Sequence, residues 1–184
     1  MLGKNQMLKI VFICTANQFR SPLAAAYFSS KLQSENTPGT WDISSAGTWS
    51  NNDQPAHSKA IELGEEFNLD LRSHKTREIS SEILAGMDLI FVMEQGHKEA
   101  LCFEFPHWCE KILLLSEISG SYAADISDPV ANNFDDARLI AYEIIKTIDD
   151  NFVKIVDLSF LKAKTGCSGP GSSLSPFQKL LSAS

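Results

Sequence analysis

Residues 8–13 (LKIVFI) form an apolar run dense in β-branched side chains, the pattern of a strand covered on both faces. Ser21-Pro22 then opens LAAAYFSSKLQ; a serine cap followed by proline at the first helical position predicts a helix start there. Residues 14–20 are left as a short loop between the two. Residues 41–46 (WDISSA) predict a second strand, followed by a loop over 47–55. Residues 58–67 predict a helix with Ala60, Leu63 and Phe67 on one side, and 80–85 a shorter one. Residues 88–93 (DLIFVM) read as a third strand, 95–103 as a helix ending before Pro106, and 111–115 (KILLL) as a fourth strand. After a polar loop over 116–133, Ile140, Ile144, Ile148, Phe152 and Ile155 form a stripe at helical spacing.

Strands alternating with helices predict an α/β fold. It is a single domain with a four-stranded parallel sheet, flanked by helices on both faces. The chain of 184 residues is long enough for one such core. Its 43% hydrophobic and 21% charged residues exclude a disordered, collagen-like or disulfide-stapled protein. The longest apolar run near the start, residues 10–14, is too short for a membrane span or a signal peptide. Sixteen basic against 23 acidic residues give −7, which argues against a nucleic-acid partner. The expectation is therefore a cytoplasmic protein without membrane insertion, acting as a monomer.

Charge also divides the chain. Residues 163–184 carry two lysines and no acid, with six Ser, three Gly and two Pro. That composition buries too little apolar surface to offset its ordering entropy. The expectation is a catalytic domain over 1–162 and a mobile tail over 163–184, in which Phe177, Leu180 and Leu181 could dock as a short turn.

The four cysteines, Cys14, Cys102, Cys109 and Cys167, contain no C-x2-C pair. A zinc site is not implied, and scattered cysteines read as free thiols. One of them opens the chemically informative segment, Cys14-Thr15-Ala16-Asn17-Gln18-Phe19-Arg20-Ser21, a C-x5-R-S motif between a buried strand and a helix start. Open parallel sheets bind ligands at such junctions. Five intervening residues can turn their N–H groups inward while the helix adds its positive end. Arg20 can grip two oxygens of a phosphate with its planar fork. A field that binds an oxyanion also favours a thiolate, so Cys14 suits attack on phosphorus, with Ser21 close enough to hydrogen-bond the sulfur. From these residues alone, Cys14 is as readily a small core residue at a strand end. A phosphoester also needs an acid for its leaving oxygen; Asp128-Pro129, in the loop after the fourth strand, is the candidate.

Further motifs follow in order: Ser45-Ala46-Gly47-Thr48, Asp70-Leu71 with Ser73-His74-Lys75, Asp88-Leu89-Ile90 with Val92-Met93 and His97, and Ile126-Ser127-Asp128-Pro129. Over residues 8–161 the chain resembles the low-molecular-weight protein tyrosine phosphatases. The resemblance implies Cys14 as nucleophile, Arg20 as phosphate clamp and Asp128 as general acid, then base. It implies that Asn17 shapes the loop through Ser21, Ser45 and His74. It also implies a phosphotyrosine protein or small aryl phosphate as substrate, a phosphocysteine intermediate, and neither cofactor nor metal.

The chain departs from that pattern in four places. Ala16 replaces a common glycine, and Phe19 replaces a second cysteine that shields the first. The loop over 47–55 is slightly short, leaving Trp49 as the aromatic wall of the cleft, and Val130-Ala131-Asn132 stand where tyrosines are frequent. Two rivals remain. An arsenate reductase on the same scaffold would use Cys102 and Cys109 as a thiol relay, and a phosphate-binding module would have lost catalysis altogether.

Overall fold

The computed structural model describes residues 7–120, 124–129 and 133–165. Four strands, β1 (Met7–Cys14), β2 (Thr40–Gly47), β3 (Leu89–Val92) and β4 (Ile112–Leu114), form one sheet in the order β2-β1-β3-β4. All three strand pairs are parallel, and β1 runs in register with β2 from Met7 opposite Thr40 to Cys14 opposite Gly47. Five helices connect and cover it: α1 (Arg20–Ser34), α2 (Ser58–Glu66), α3 (Ser81–Ala85), α4 (Gln95–Glu104) and α5 (Phe134–Thr165). The expected four-stranded parallel sheet with helices on both faces is the fold observed.

Alternation along β1 explains the two layers. Ile10, Phe12 and Cys14 join Phe91 and Met93 in a core closed by α1, α2 and α5. Val11 and Ile13 face the other way, with Ile90 and Val92, into a core closed by α3 and α4. Each side chain leaves a strand on the opposite side from its neighbour, so a run apolar at nearly every position serves both layers. Phe12 stacks on Phe91 at 5.5 Å between ring centres and meets Phe28 of α1 at 5.9 Å.

Several expectations need correction. The helix after the first strand starts at Arg20, not behind a Ser21 cap, and its first turn has no side-chain cap. Ser21 sits inside that turn because its hydroxyl is engaged elsewhere, as described below. The stretch after β4 is not loop throughout: Leu115–Ser119 forms a 3-10 turn. The reading of Cys102 and Cys109 as free thiols is wrong. They form a disulfide, with Cα atoms 4.7 Å apart. Its origin is local, since α4 stops at Glu104 and Pro106–Lys111 turns back as a 3-10 segment, bringing Cys109 to the end of α4. Helix α5 continues through Thr165 with Ala163 buried, past the boundary expected at residue 162. The remainder of the tail, Cys167, and Val130-Ala131-Asn132 lie outside the described residues.

Candidate active site

Cys14 ends β1 and is buried, with its Sγ 3.1 Å from Ser21 Oγ. The chain then turns sharply and enters α1 at Arg20. Asn17 makes the turn possible. Its φ is 55°, in the left-handed region that asparagine tolerates better than most side chains. Ala16, by contrast, is not among the residues with positive φ, so the methyl group that replaces glycine causes no backbone strain. Phe19 is buried in the larger core, where a thiol would leave a void. Gln18 is tied to the segment before α2, accepting from the His57 N–H at 2.8 Å through its carbonyl.

The fully buried Asn17 is held from four directions. Its amide donates to Ser21 Oγ and Ser45 Oγ, both at 2.9 Å. Its side-chain oxygen accepts the Arg77 backbone N–H at 3.0 Å, and its carbonyl accepts from His74 Nε2 at 2.8 Å. The structure thus brings together Asn17, Ser21, Ser45 and His74, as expected, and adds the Arg77 backbone. Burial lowers the His74 pKa, as does nearby Arg77, against a raising contribution from its bond to Asn17. A neutral ring suits that position.

Arg20 is almost wholly buried. One terminal nitrogen donates to Glu94 and, at 2.7 Å, to the Ile126 carbonyl. The other pairs with Asp128 Oδ2 at 3.0 Å and reaches Thr15 Oγ1 at 3.3 Å. Asp128, 43% exposed, is therefore at the clamp beside the loop. Its segment is fixed from two sides, by Ile126 N–H to the Met93 carbonyl and by Gln95 N–H to Asp125.

Trp49 lies at the rim. Its N–H donates to the Thr15 carbonyl at 3.0 Å, while its side chain is 82% exposed. Gly47 permits that approach: a Cβ at this position would stand 2.6 Å from the Thr15 carbonyl oxygen.

Glu94 and His97, at the start of α4, were not expected in the site. His97 Nε2 lies 3.0 Å from Thr15 Oγ1, and its Nδ1 is buried without a hydrogen-bond partner among the described residues. Burial and Arg20 lower the His97 pKa; Glu94, Asp125 and Asp128 oppose them. His97 belonged to a recognised motif, but only the fold brings it to Thr15.

A loop with a buried thiol, a buried guanidinium and a carboxylate beside it is equipped for phosphoryl transfer, and residues 9–163 match the family described as low molecular weight phosphotyrosine protein phosphatase. The chain belongs to this family. As a member it is a protein phosphatase. It is 30% identical to a protein-arginine-phosphatase of Bacillus subtilis strain 168, over 70% of this chain and 83% of that one. It is 29% identical to the low molecular weight protein-tyrosine-phosphatase Wzb of Salmonella typhi, over 76% and 85%. A solved YwlE arginine phosphatase mutant with a phosphorylated active-site serine superposes with a TM-score of 0.71 at 25% identity, covering 88% of this chain and 97% of that one. The reductase rival shares this scaffold, but its thiol relay would need Cys102 within reach of Cys14. Cys102 packs against the core on the other face of the sheet from Cys14, and its sulfur is already bonded to Cys109.

Proposed function

We propose that the protein hydrolyses phosphotyrosine, or a related aryl phosphate monoester, with Cys14 as nucleophile, Arg20 as clamp and Asp128 as acid and base. The observation that carries this reading is the convergence of the three on one loop. Asp128, 108 positions after Arg20 in the chain, pairs with the same guanidinium that follows the Cys14 loop.

The steps follow from the geometry. The phosphoryl group enters the loop, its oxygens taking N–H groups of the loop and of Arg20. The Cys14 sulfur attacks phosphorus; the P–S bond forms as the P–O bond to the leaving group breaks. Protonated Asp128 gives its proton to the departing oxygen. A water then gives a proton to Asp128 while its oxygen attacks phosphorus, and the P–S bond breaks to release phosphate. Ser21 serves both steps. Its oxygen accepts from Asn17, and its one proton has two acceptors in reach, the Ala46 carbonyl at 3.2 Å and the Cys14 sulfur at 3.1 Å; negative charge on the sulfur draws that proton to it.

Trp49 supplies a flat apolar face for the leaving group, and all of these groups come from one chain, which suits a monomer. No helix among the described residues is long and apolar enough to cross a membrane; we place the enzyme in the cytoplasm, acting on a phosphoprotein. A second reading, phosphoarginine as substrate, is favoured by the similarity to the Bacillus subtilis arginine phosphatase, and a guanidinium also stacks on an indole face. Comparing kcat/KM on phosphotyrosine and phosphoarginine peptides of one sequence tests the choice. The reading predicts preference for phosphotyrosine; preference for phosphoarginine overturns it in favour of the second.

A further inference from the structure

We propose that His97 is a positioning residue that, together with Arg20, turns the Thr15 hydroxyl into a hydrogen-bond donor for the phosphoryl group held at Cys14. The inference deepens the phosphatase reading and rests on it. It starts from the two contacts of Thr15 Oγ1, with Arg20 at 3.3 Å and His97 Nε2 at 3.0 Å.

A hydroxyl has one proton and two lone pairs, and a guanidinium can only donate. Arg20 therefore occupies one lone pair of Thr15. His97 Nε2 must either accept the Thr15 proton or donate its own to the second lone pair. The other ring nitrogen decides between them. Nδ1 is buried and has no partner among the described residues. If Nε2 accepts, Nδ1 must carry a buried N–H with nothing to receive it, and orphaned buried N–H groups are rarer in folded proteins than under-satisfied acceptors. An imidazolium has the same defect. The neutral ring with its proton on Nε2 leaves only a bare lone pair at Nδ1.

In that arrangement Arg20 and His97 fill both lone pairs of Thr15, and its single proton remains to be donated. Thr15 directly follows the nucleophile, and its backbone is pinned by Trp49 N–H. The Arg20 nitrogen that contacts Thr15 also contacts Asp128, so this hydroxyl stands where clamp and acid meet. A donor fixed there is aimed at a phosphoryl oxygen, where charge accumulates during transfer. The groups facing His97 are Glu94 from its own helix start, Arg20 and Thr15 from the loop, and Asp125 and Asp128 from the segment opposite. Burial and Arg20 favour the neutral ring that the geometry requires.

Long-range proton–nitrogen spectra of the histidine rings in the full-length wild-type protein read the tautomer directly. The expected result at neutral pH is a His97 ring protonated at Nε2; protonation at Nδ1 alone, or at both nitrogens, overturns the proposal. The second arm measures tungstate affinity and kcat/KM on p-nitrophenyl phosphate for Thr15→Val, His97→Ala and the double variant. A hydrogen bond to a charged group corresponds to roughly 10- to 100-fold, so each single variant is expected to lose about tenfold in both, and the double variant no more. Thr15→Ser and His97→Gln, which restore the hydroxyl and a donor near the Nε2 position, are expected to recover most of the loss. Multiplicative losses, or a Thr15→Val enzyme as good as wild type, overturn it. Should His97→Ala fail to fold, the tautomer and the Thr15→Val and Thr15→Ser pair decide alone. None of these outcomes bears on whether Cys14 carries the phosphoryl group, which is tested separately below.

Discussion

At the scale of the residue, Asp128 and His74 illustrate two kinds of dependence on charge. If Asp128 protonates the leaving oxygen, Asp128→Asn slows phenyl phosphate, whose leaving group is a poor one, by roughly 100-fold or more. It slows p-nitrophenyl phosphate, which departs as a stable anion, much less; an equal loss on both esters contradicts the assignment. His74 acts on stability instead. Burial holds its folded-state pKa below the ordinary 6.5, so folding favours the neutral ring. That contribution is fully present above about pH 6.5 and is lost as pH falls through the lower folded value. Denaturant unfolding across this range is expected to show a steeper loss on acidification in wild type than in His74→Gln; identical slopes would contradict it. Cys14, Arg20 and Asp128 were singled out in the sequence by the C-x5-R-S motif, by Asp128-Pro129 and by the family resemblance, and the structure brings them to one loop. Glu94 and Arg77 were not singled out, and neither was the contact of His97. They meet Arg20, Asn17 and Thr15 from 74, 60 and 82 positions away, and Arg77 reaches Asn17 through its backbone N–H, which no residue type reveals, while its side chain donates to the Ser45 carbonyl at 2.8 Å.

At the scale of the element, the site is a junction of strand ends. Cys14 and Gly47 are register partners at the carboxyl ends of β1 and β2. Beyond them the two chains stay joined by Thr48 N–H to the Cys14 carbonyl and Trp49 N–H to the Thr15 carbonyl. Because a Cβ on Gly47 would press on the Thr15 carbonyl oxygen at 2.6 Å, backbone rather than a side chain must give way. Gly47→Ala is therefore expected to weaken phosphate affinity and lower stability by about 1–3 kcal/mol, read by calorimetry and thermal unfolding. Unchanged phosphate binding would show that the rim does not set the loop. The strands and longer helices were readable from apolar runs and spacing. The start of α1 was misread because Ser21 matches a capping signature, yet its hydroxyl serves Asn17, the Ala46 carbonyl and the Cys14 sulfur. A local rule yields where chemistry needs the same group.

At the scale of the molecule, a chain of net charge −7 binds an anion because the field at the loop is local. Arg20 acts within hydrogen-bond reach of a group held at the loop, whereas surface acids are screened over about 10 Å. The disulfide is the second global feature, and it was missed because a spacing of seven does not reveal which cysteines a turn will bring together. It ties the end of α4 to the following 3-10 turn, on the other sheet face from Cys14. Replacing Cys102 and Cys109 with serine is expected to reduce stability by up to about 3 kcal/mol, with kcat/KM on p-nitrophenyl phosphate within a few-fold of wild type. Loss of turnover in a folded double variant would contradict that separation.

The central claim is that the phosphoryl group passes through the sulfur of Cys14. Its most direct test is to quench the enzyme during turnover of p-nitrophenyl phosphate and locate the added phosphoryl mass by peptide mass spectrometry, beside a Cys14→Ser control. The account predicts label on Cys14 in wild type, and a control that binds phosphate but no longer turns over. Label on another residue, or undiminished turnover by Cys14→Ser, would contradict it.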